Sequence, residues 1–225
     1  RGHRRFDGRD LEWLAVSDLG STTRPAGPPD DELPPSEETT EGRATIRAQR
    51  LARVSARRQA GEEPYPYRFD TDRTIGELRA EFAALEAGEE TDTEVRVAGR
   101  LMLKREQGRL TFGQLRDRTG EVQLFVSAGV IGKERFAELN QLDRGDWVGV
   151  EGTVKVTKKG ELSVKATDFV LLSKALRPLP DKWKGLADVD ARYRQRYVDL
   201  VVNSQARRVF EVRTAALTAI RTELH

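Results

Sequence analysis

The sequence predicts an all-β barrel of five strands, with a basic helical extension before it and further helices after it. Three observations carry that expectation. From Val95 to Val164 apolar residues alternate with polar ones, the period of half-buried strands. Turn signals fall between the alternating segments, "DRTG" at 117–120 and "KKGE" at 158–161. A single short helical pattern, "IGKERFAELN" at 131–140, interrupts the series after its third strand.

Each segment can be taken in order. Residues 1–42 change character twice: Leu11–Val16 carries a short helical pattern, and "STTRPAGPPDDELPPSEETTEG" has the Pro, Gly, Ser and acid content of a disordered linker. Residues 43–92 form a basic helical extension. Its first helix sets Arg43, Arg47, Arg50, Arg53, Arg57 and Arg58 at helical spacings, with Gly61 suited to the position just past the end. No Asp or Glu lies between Arg43 and Ala60, so the helix lacks the opposite charges that a solvated surface helix interleaves. Such a face is either a solvated surface or a phosphate-contacting stripe, and the missing acids favour the stripe. "TIGELRAEFAALEAG" predicts a second short helix, capped near Thr74.

Residues 93–173 are β. Val95, Val97, Gly99, Leu101 and Leu103 share one face of the first strand, and Gly99 suits a bend or bulge there. "RLTFGQLRD" and "GEVQLFV" follow as a hairpin. Val148, Val150, Val154, Val156, Leu162 and Val164 point inward in the last hairpin. Five strands with one helix between the third and fourth is the order of an OB-fold barrel. Residues 174–189 then read as a Pro-punctuated linker, with Lys182 and Lys184 as solvated residues in it. One helix is predicted from Asp190 to Val202 and another from Ser204, its N-cap. The second carries an apolar stripe of Val209, Val212, Leu217, Ile220 and Leu224 with nothing in the chain to cover it.

Composition narrows the chemistry. Lys and Arg number 39 against 37 Asp and Glu, so the net charge of +2 implies no particular partner. The absence of Cys excludes a disulfide framework, a cysteine zinc site and a thiol nucleophile. His3 and His225 stand at the two ends, which argues against a histidine-based catalytic or metal site. No apolar run approaches the roughly 18–20 residues of a membrane helix, and no signal-peptide pattern is present, so a cytoplasmic protein is expected. The chain starts at Arg1 and stops in "AIRTELH" with helical periodicity still running, as a piece of a longer protein would.

"ALRPLPDKWKGL" followed by "ARYRQRYVDL" closely resembles the junction between anticodon-binding and catalytic domains in bacterial class II lysyl-tRNA synthetases. "VAGRLMLKREQGRLTFGQLRD", "GEVQLFV" and "KKGELSV" resemble that family's OB-fold, and the arginine helix ending in "EEPYPY" resembles its N-terminal extension. The likeness runs from about Arg43 to His225. It implies that residues 190–225 begin an α+β class II catalytic domain, and that the helix from Ser204 to His225 begins the motif that forms a homodimer interface in the family.

The resemblance also implies roles. Phe112 stacks on an anticodon base, Gln123 and Glu161 hydrogen-bond base edges, and Arg105 helps to hold the anticodon. By pattern alone Phe112 reads as core, Gln123 as an ordinary exposed strand residue and Glu161 as a turn residue. Arg43, Arg47, Arg50 and Arg57 become candidates for contact with the tRNA backbone. The partners implied for the full-length enzyme are lysine-specific tRNA, lysine, ATP and Mg²⁺. The motifs that clamp ATP in the family do not occur in this sequence, so no catalytic residue and no metal ligand is expected here. Two alternatives stand beside this reading: a free-standing OB-fold RNA-binding module, and the synthetase part of a lipid-lysylating fusion protein.

Overall fold

The computed structural model describes residues 40–180, 186 and 188–224. The expected linker up to residue 39, the helical pattern at 11–16, and Lys182 and Lys184 lie outside the described residues.

Helix α1 spans Thr40–Gln59 and starts three residues ahead of the predicted Arg43. It ends as its sequence requires: Gly61 adopts φ +80°, its amide donates to the Arg58 carbonyl at 3.1 Å, and the Glu62 amide reaches the Arg57 carbonyl at 2.9 Å. Helix α2, Ile75–Glu81, is shorter than predicted and begins with a complete capping box. The Glu77 amide donates to Thr74 Oγ1 at 3.2 Å, and the Thr74 amide donates to the Glu77 carboxylate at 2.8 Å.

The barrel strands are β1 (Glu90–Gln107), β2 (Leu110–Arg116) and β3 (Glu121–Ser127), then helices α3 (Ala128–Ile131) and α4 (Lys133–Asn140), then β4 (Trp147–Val156) and β5 (Leu162–Ser173). They close in the order β1-β2-β3-β5-β4, with β4 paired back to β1. Every pairing is antiparallel except β3 with β5. This is the predicted OB order, with the helical segment between the third and fourth strands. Val97, Leu115, Val150, Val154 and Val164 fill the interior with no exposed surface, and Ile75 and Leu78 of α2 join the same core.

Closure depends on two deviations in β1. At Gly99 and Arg100 the strand changes partner, from β4 to β2. A Cβ on Gly99 would lie 2.9 Å from the Arg116 carbonyl oxygen, so the close crossing needs glycine. The bulge itself comes later, between Leu101 and Leu103, where one extra residue interrupts the ladder to β2. A corresponding slip opposite Glu151/Gly152 leaves Thr167 as the extra residue and bends β5 against β4.

The predicted helix over 190–202 is two helices, α5 (Val189–Arg194) and α6 (Arg196–Val202), broken where Gln195 leaves helical geometry at φ −119°, ψ +51°. Helix α7 runs from Ser204 to Leu224. Ser204 is its first residue but not its cap. The Asn203 side chain accepts from the amides of Gln205 at 3.1 Å and Ala206 at 3.2 Å, so Asn203 is the N-cap. Arg116 on β2 fastens α6 to the barrel by donating to the Val201 carbonyl at 3.0 Å. As predicted, the α7 stripe is uncovered: Val209, Val212, Leu217, Ile220 and Leu224 are all exposed. No helix among the described residues is long and apolar enough to cross a membrane.

Candidate nucleic-acid interface

The outer face of β1, β2 and β3 carries an open groove of about 1000 Å³. Arg79 and the β2–β3 turn bound one end, and the β4–β5 turn at Thr157–Glu161 bounds the other. Arg105, Phe112, Gln123 and Glu161 all line it.

Strand parity explains how they meet. On β2 the interior takes Thr111, Gly113 and Leu115, leaving Phe112 and Gln114 on the groove side. On β3 it takes Val122, Leu124 and Val126, leaving Gln123 and Phe125 outside. Phe112 is therefore half-buried on the outer face, not core as its pattern alone suggests. Uninterrupted alternation from Val95 would have turned Leu103 and Arg105 inward. The bulge at Met102 reverses the parity, so Leu103 lines the groove instead of the core and Arg105 pairs across the strand with Phe112. Lys104 takes the interior side and donates to the Asn140 carbonyl.

The groove floor is an ordered set of contacts. Phe112 and Phe125 meet edge to face, with centroids 5.5 Å apart and planes at 72°. The Lys155 ammonium sits 4.4 Å from the centroid of the Phe125 ring. Gln123 pairs with Ser163 across the parallel β3–β5 ladder, and Ser163 Oγ lies 2.9 Å from Gln123 Oε1. The same hydroxyl is 3.1 Å from the Glu161 carbonyl oxygen. At the other end Glu121 accepts from Gln114 and Arg116.

Charge in the groove is lopsided. Its lining holds five basic side chains, Arg79, Arg105, Lys155, Lys158 and Lys159, and two acidic ones, Glu121 and Glu161. Arg105, Lys158 and Lys159 have no ion-pair partner among the described residues. Lys155 is held at 2.6 Å by Glu90, which also takes Lys165 at 2.9 Å. Hydrogen bonds from Lys155 and then Lys165 hold the Glu90 carboxyl down to about 2. Among the described residues no group of three or more His, Asp or Glu side chains could hold a metal ion.

The arginine helix divides its residues between two tasks. Arg43 and Arg47 are exposed. Arg57 is paired with Glu62 at 2.9 Å. Arg50, a candidate for phosphate contact by spacing, corrects that expectation: it is buried, donates to the Ala175 carbonyl at 2.7 Å, and lies 3.6 Å from Asp143. Asp143 also takes Arg53 at 2.8 Å and the buried Lys174 at 2.5 Å. Burial pushes the Asp143 carboxyl up, but the Lys174 hydrogen bond and the surrounding cations outweigh it and hold the group below its usual range. The opposite charges absent from the helix thus come from distant segments.

Sequence reasoning passed over Phe125, Lys155 and Ser163. The alternation that placed Gln123 outward places Phe125 outward too, so that residue was within reach. Ser163 comes from β5, beside β3, and Lys155 from β4, one strand further on; both placements are a matter of topology, with no local signal.

A family profile described as an OB-fold nucleic acid binding domain matches residues 95–172, which covers the barrel from early β1 to the end of β5. Three relatives are lysine–tRNA ligases. The protein from Synechococcus sp. strain CC9311 is 48% identical over 177 residues, 78% of this chain and 36% of its own length. That from Nostoc punctiforme is 46% identical over 187 residues, 80% of this chain and 33% of its own. That from Prochlorococcus marinus strain MIT 9313 is 44% identical over 185 residues, with 78% and 36% covered. The chain therefore spans about a third of the length of the curated relatives it matches. The barrel thus matches the OB-fold nucleic acid binding domain family, and about four fifths of the chain is similar to a part of lysine–tRNA ligases.

Proposed function

We propose that this chain is the tRNA anticodon-binding portion of a lysine–tRNA ligase, and that the β1–β3 groove reads the anticodon. The observation that carries the reading is the convergence of Arg105, Phe112, Gln123 and Glu161 on one groove, although they lie on three strands and a turn. Phe112 offers a ring on which an unstacked base can lie, a contact worth about 1–3 kcal/mol in such grooves. Uridine presents two carbonyl acceptors around one N–H donor. The Gln123 amide donates to a carbonyl, and the Glu161 carboxylate accepts from the N–H. Arg105, Lys158 and Lys159 then face the phosphates with uncommitted charge. Arg43 and Arg47 on α1 extend the basic surface for the tRNA backbone.

The whole ligase, in this reading, works in the cytoplasm with Mg²⁺. It joins lysine to ATP as lysyl-adenylate with release of pyrophosphate, then transfers lysine to the terminal ribose of the tRNA with release of AMP. The exposed stripe of α7 supports a homodimer contact in that larger body. Nuclease footprinting of a lysine tRNA transcript bound to the 225-residue chain tests the reading. Protection centred on the anticodon loop is expected. Protection elsewhere with that loop left open contradicts it.

A further inference from the structure

We infer that Ser163 is a positioning residue for base selection, which fixes the Gln123 amide so that its N–H₂ group, and not its carbonyl, faces the groove. This rests on the anticodon reading above and deepens it.

Ser163 is fully buried, although strand parity sets it with Lys165 on the face opposite the core residues Val164 and Ala166. Its backbone is the direct partner of Gln123 in the only parallel ladder of the barrel. That register brings Ser163 Oγ to 2.9 Å from Gln123 Oε1. A free glutamine amide on an open strand face can rotate by half a turn and exchange a donor for an acceptor at almost no cost, because the two ends have nearly the same shape. Read toward a pyrimidine, that exchange converts a preference for the carbonyl of uridine into one for the amino group of cytidine. The Glu161 carbonyl already accepts from the Thr157 amide, so the single Ser163 hydroxyl proton goes to the nearer oxygen, that of Gln123: this oxygen turns down to Ser163, and the two N–H donors turn up. The Nε2 group makes no hydrogen bond among the described residues, so it stays available to a base.

The same hydroxyl approaches the Glu161 carbonyl oxygen at 3.1 Å. That carbonyl has its own donor in the Thr157 amide, which leaves the one hydroxyl proton for Gln123. The Thr157 hydroxyl accepts from the Glu161 amide at 3.1 Å and the Thr157 amide donates to the Glu161 carbonyl at 3.0 Å, so the turn arrives at Ser163 already braced. Gln123 and Glu161 thus meet on either side of Ser163.

The test measures binding of the 225-residue chain to two stem-loops that differ only by uridine or cytidine at the middle anticodon position. The variants are Ser163→Ala, Gln123→Ala and the double substitution, with thermal unfolding of each. Ser163→Ala is expected to lower the uridine-over-cytidine ratio by about three- to tenfold, the worth of one hydrogen bond, mostly by improving cytidine binding. In the Gln123→Ala background it should change the ratio no further, since its action passes through that amide. Ser163→Cys, close in shape but a weak donor, should repeat the loss if the alanine variant unfolds. An unchanged ratio in a folded Ser163→Ala or Ser163→Cys chain overturns the inference, as does an equal effect with Gln123 absent. If the unaltered chain shows no preference between the two RNAs, or prefers cytidine, the anticodon reading itself fails.

Discussion

Arg105 and Phe112 are cross-strand partners on the groove face of the β1–β2 hairpin, and they are partners only because the ladder slips at Met102. Without that slip Arg105 would share the parity of Val95, Val97 and Leu101, all of which are buried in the barrel. One extra residue in β1 thus sets an uncommitted cation beside the aromatic pair of the groove.

Arg105→Ala should weaken RNA binding for every sequence alike. The slope of log affinity against log salt should fall by about one, because a single phosphate contact is lost. Thermal unfolding should barely move, since Arg105 is exposed and its side chain makes no hydrogen bond or ion pair among the described residues. Titrations at several salt concentrations check both points. A slope equal to that of the unaltered chain would remove Arg105 from the interface.

Phe112→Ala should cost about 1–3 kcal/mol of RNA affinity through the lost stack. Phe125 is expected to behave differently, because it supports the Phe112 edge and carries Lys155 over its face. Both variants lose the ring pair, worth about 0.5–1.5 kcal/mol, but only Phe125→Ala also loses the Lys155 contact and should reduce stability further. Calorimetric binding and thermal melts of the two variants separate the roles.

Arg50 and Arg47 sit one helical turn apart, yet substitution should affect different properties. Arg50→Ala removes the hydrogen bond to Ala175 and one of three cations from the partly buried Asp143, at a cost of about 1–3 kcal/mol in the stability with which α1 is docked. Hydrogen exchange over Thr40–Gln59 should rise accordingly. Arg47→Ala should leave that exchange unchanged and weaken tRNA binding. Faster exchange in the Arg47 variant, or none in the Arg50 variant, contradicts this division.

Glu90 supplies a pH dependence with a defined sign. Its carboxyl is held at about 2 in the fold by Lys155 and Lys165, below the ordinary glutamate value of roughly 4.3. The stabilisation is therefore present above the ordinary value and is lost as pH falls through that value toward 2. The side chain is 46% exposed, so solvent screening limits the effect to less than about 1 kcal/mol. Melting curves of the chain and of Glu90→Gln should differ at neutral pH and converge near pH 2. A gap that persists at the acid end would assign the effect to packing.

Much of this was legible in the sequence, and the exceptions have common causes. The strands, the interposed helix, the Gly61 helix end and the uncovered α7 stripe all follow from local periodicity and turn chemistry. Gln123 could be placed outward because Val122 and Leu124 flank it. Leu103 could not be placed, because a bulge leaves no local mark and one extra residue inverts every side chain beyond it. Arg50 looked like its helical neighbours because its burial depends on Asp143 and Ala175, which the fold brings from 93 and 125 residues away. The break at Gln195 and the cap at Asn203 show how short the margin is between one continuous helix and two. Ser163 is invisible without the parallel β3–β5 pairing.

The most direct test of the account is the affinity of the chain for a lysine-anticodon stem-loop against the same RNA with its middle uridine changed to cytidine, repeated with Phe112→Ala and Gln123→Ala. A clear preference for uridine is predicted. It should disappear with Gln123→Ala, while Phe112→Ala should weaken both RNAs. Equal, salt-sensitive binding to both RNAs that neither substitution alters would mean that the groove reads no base.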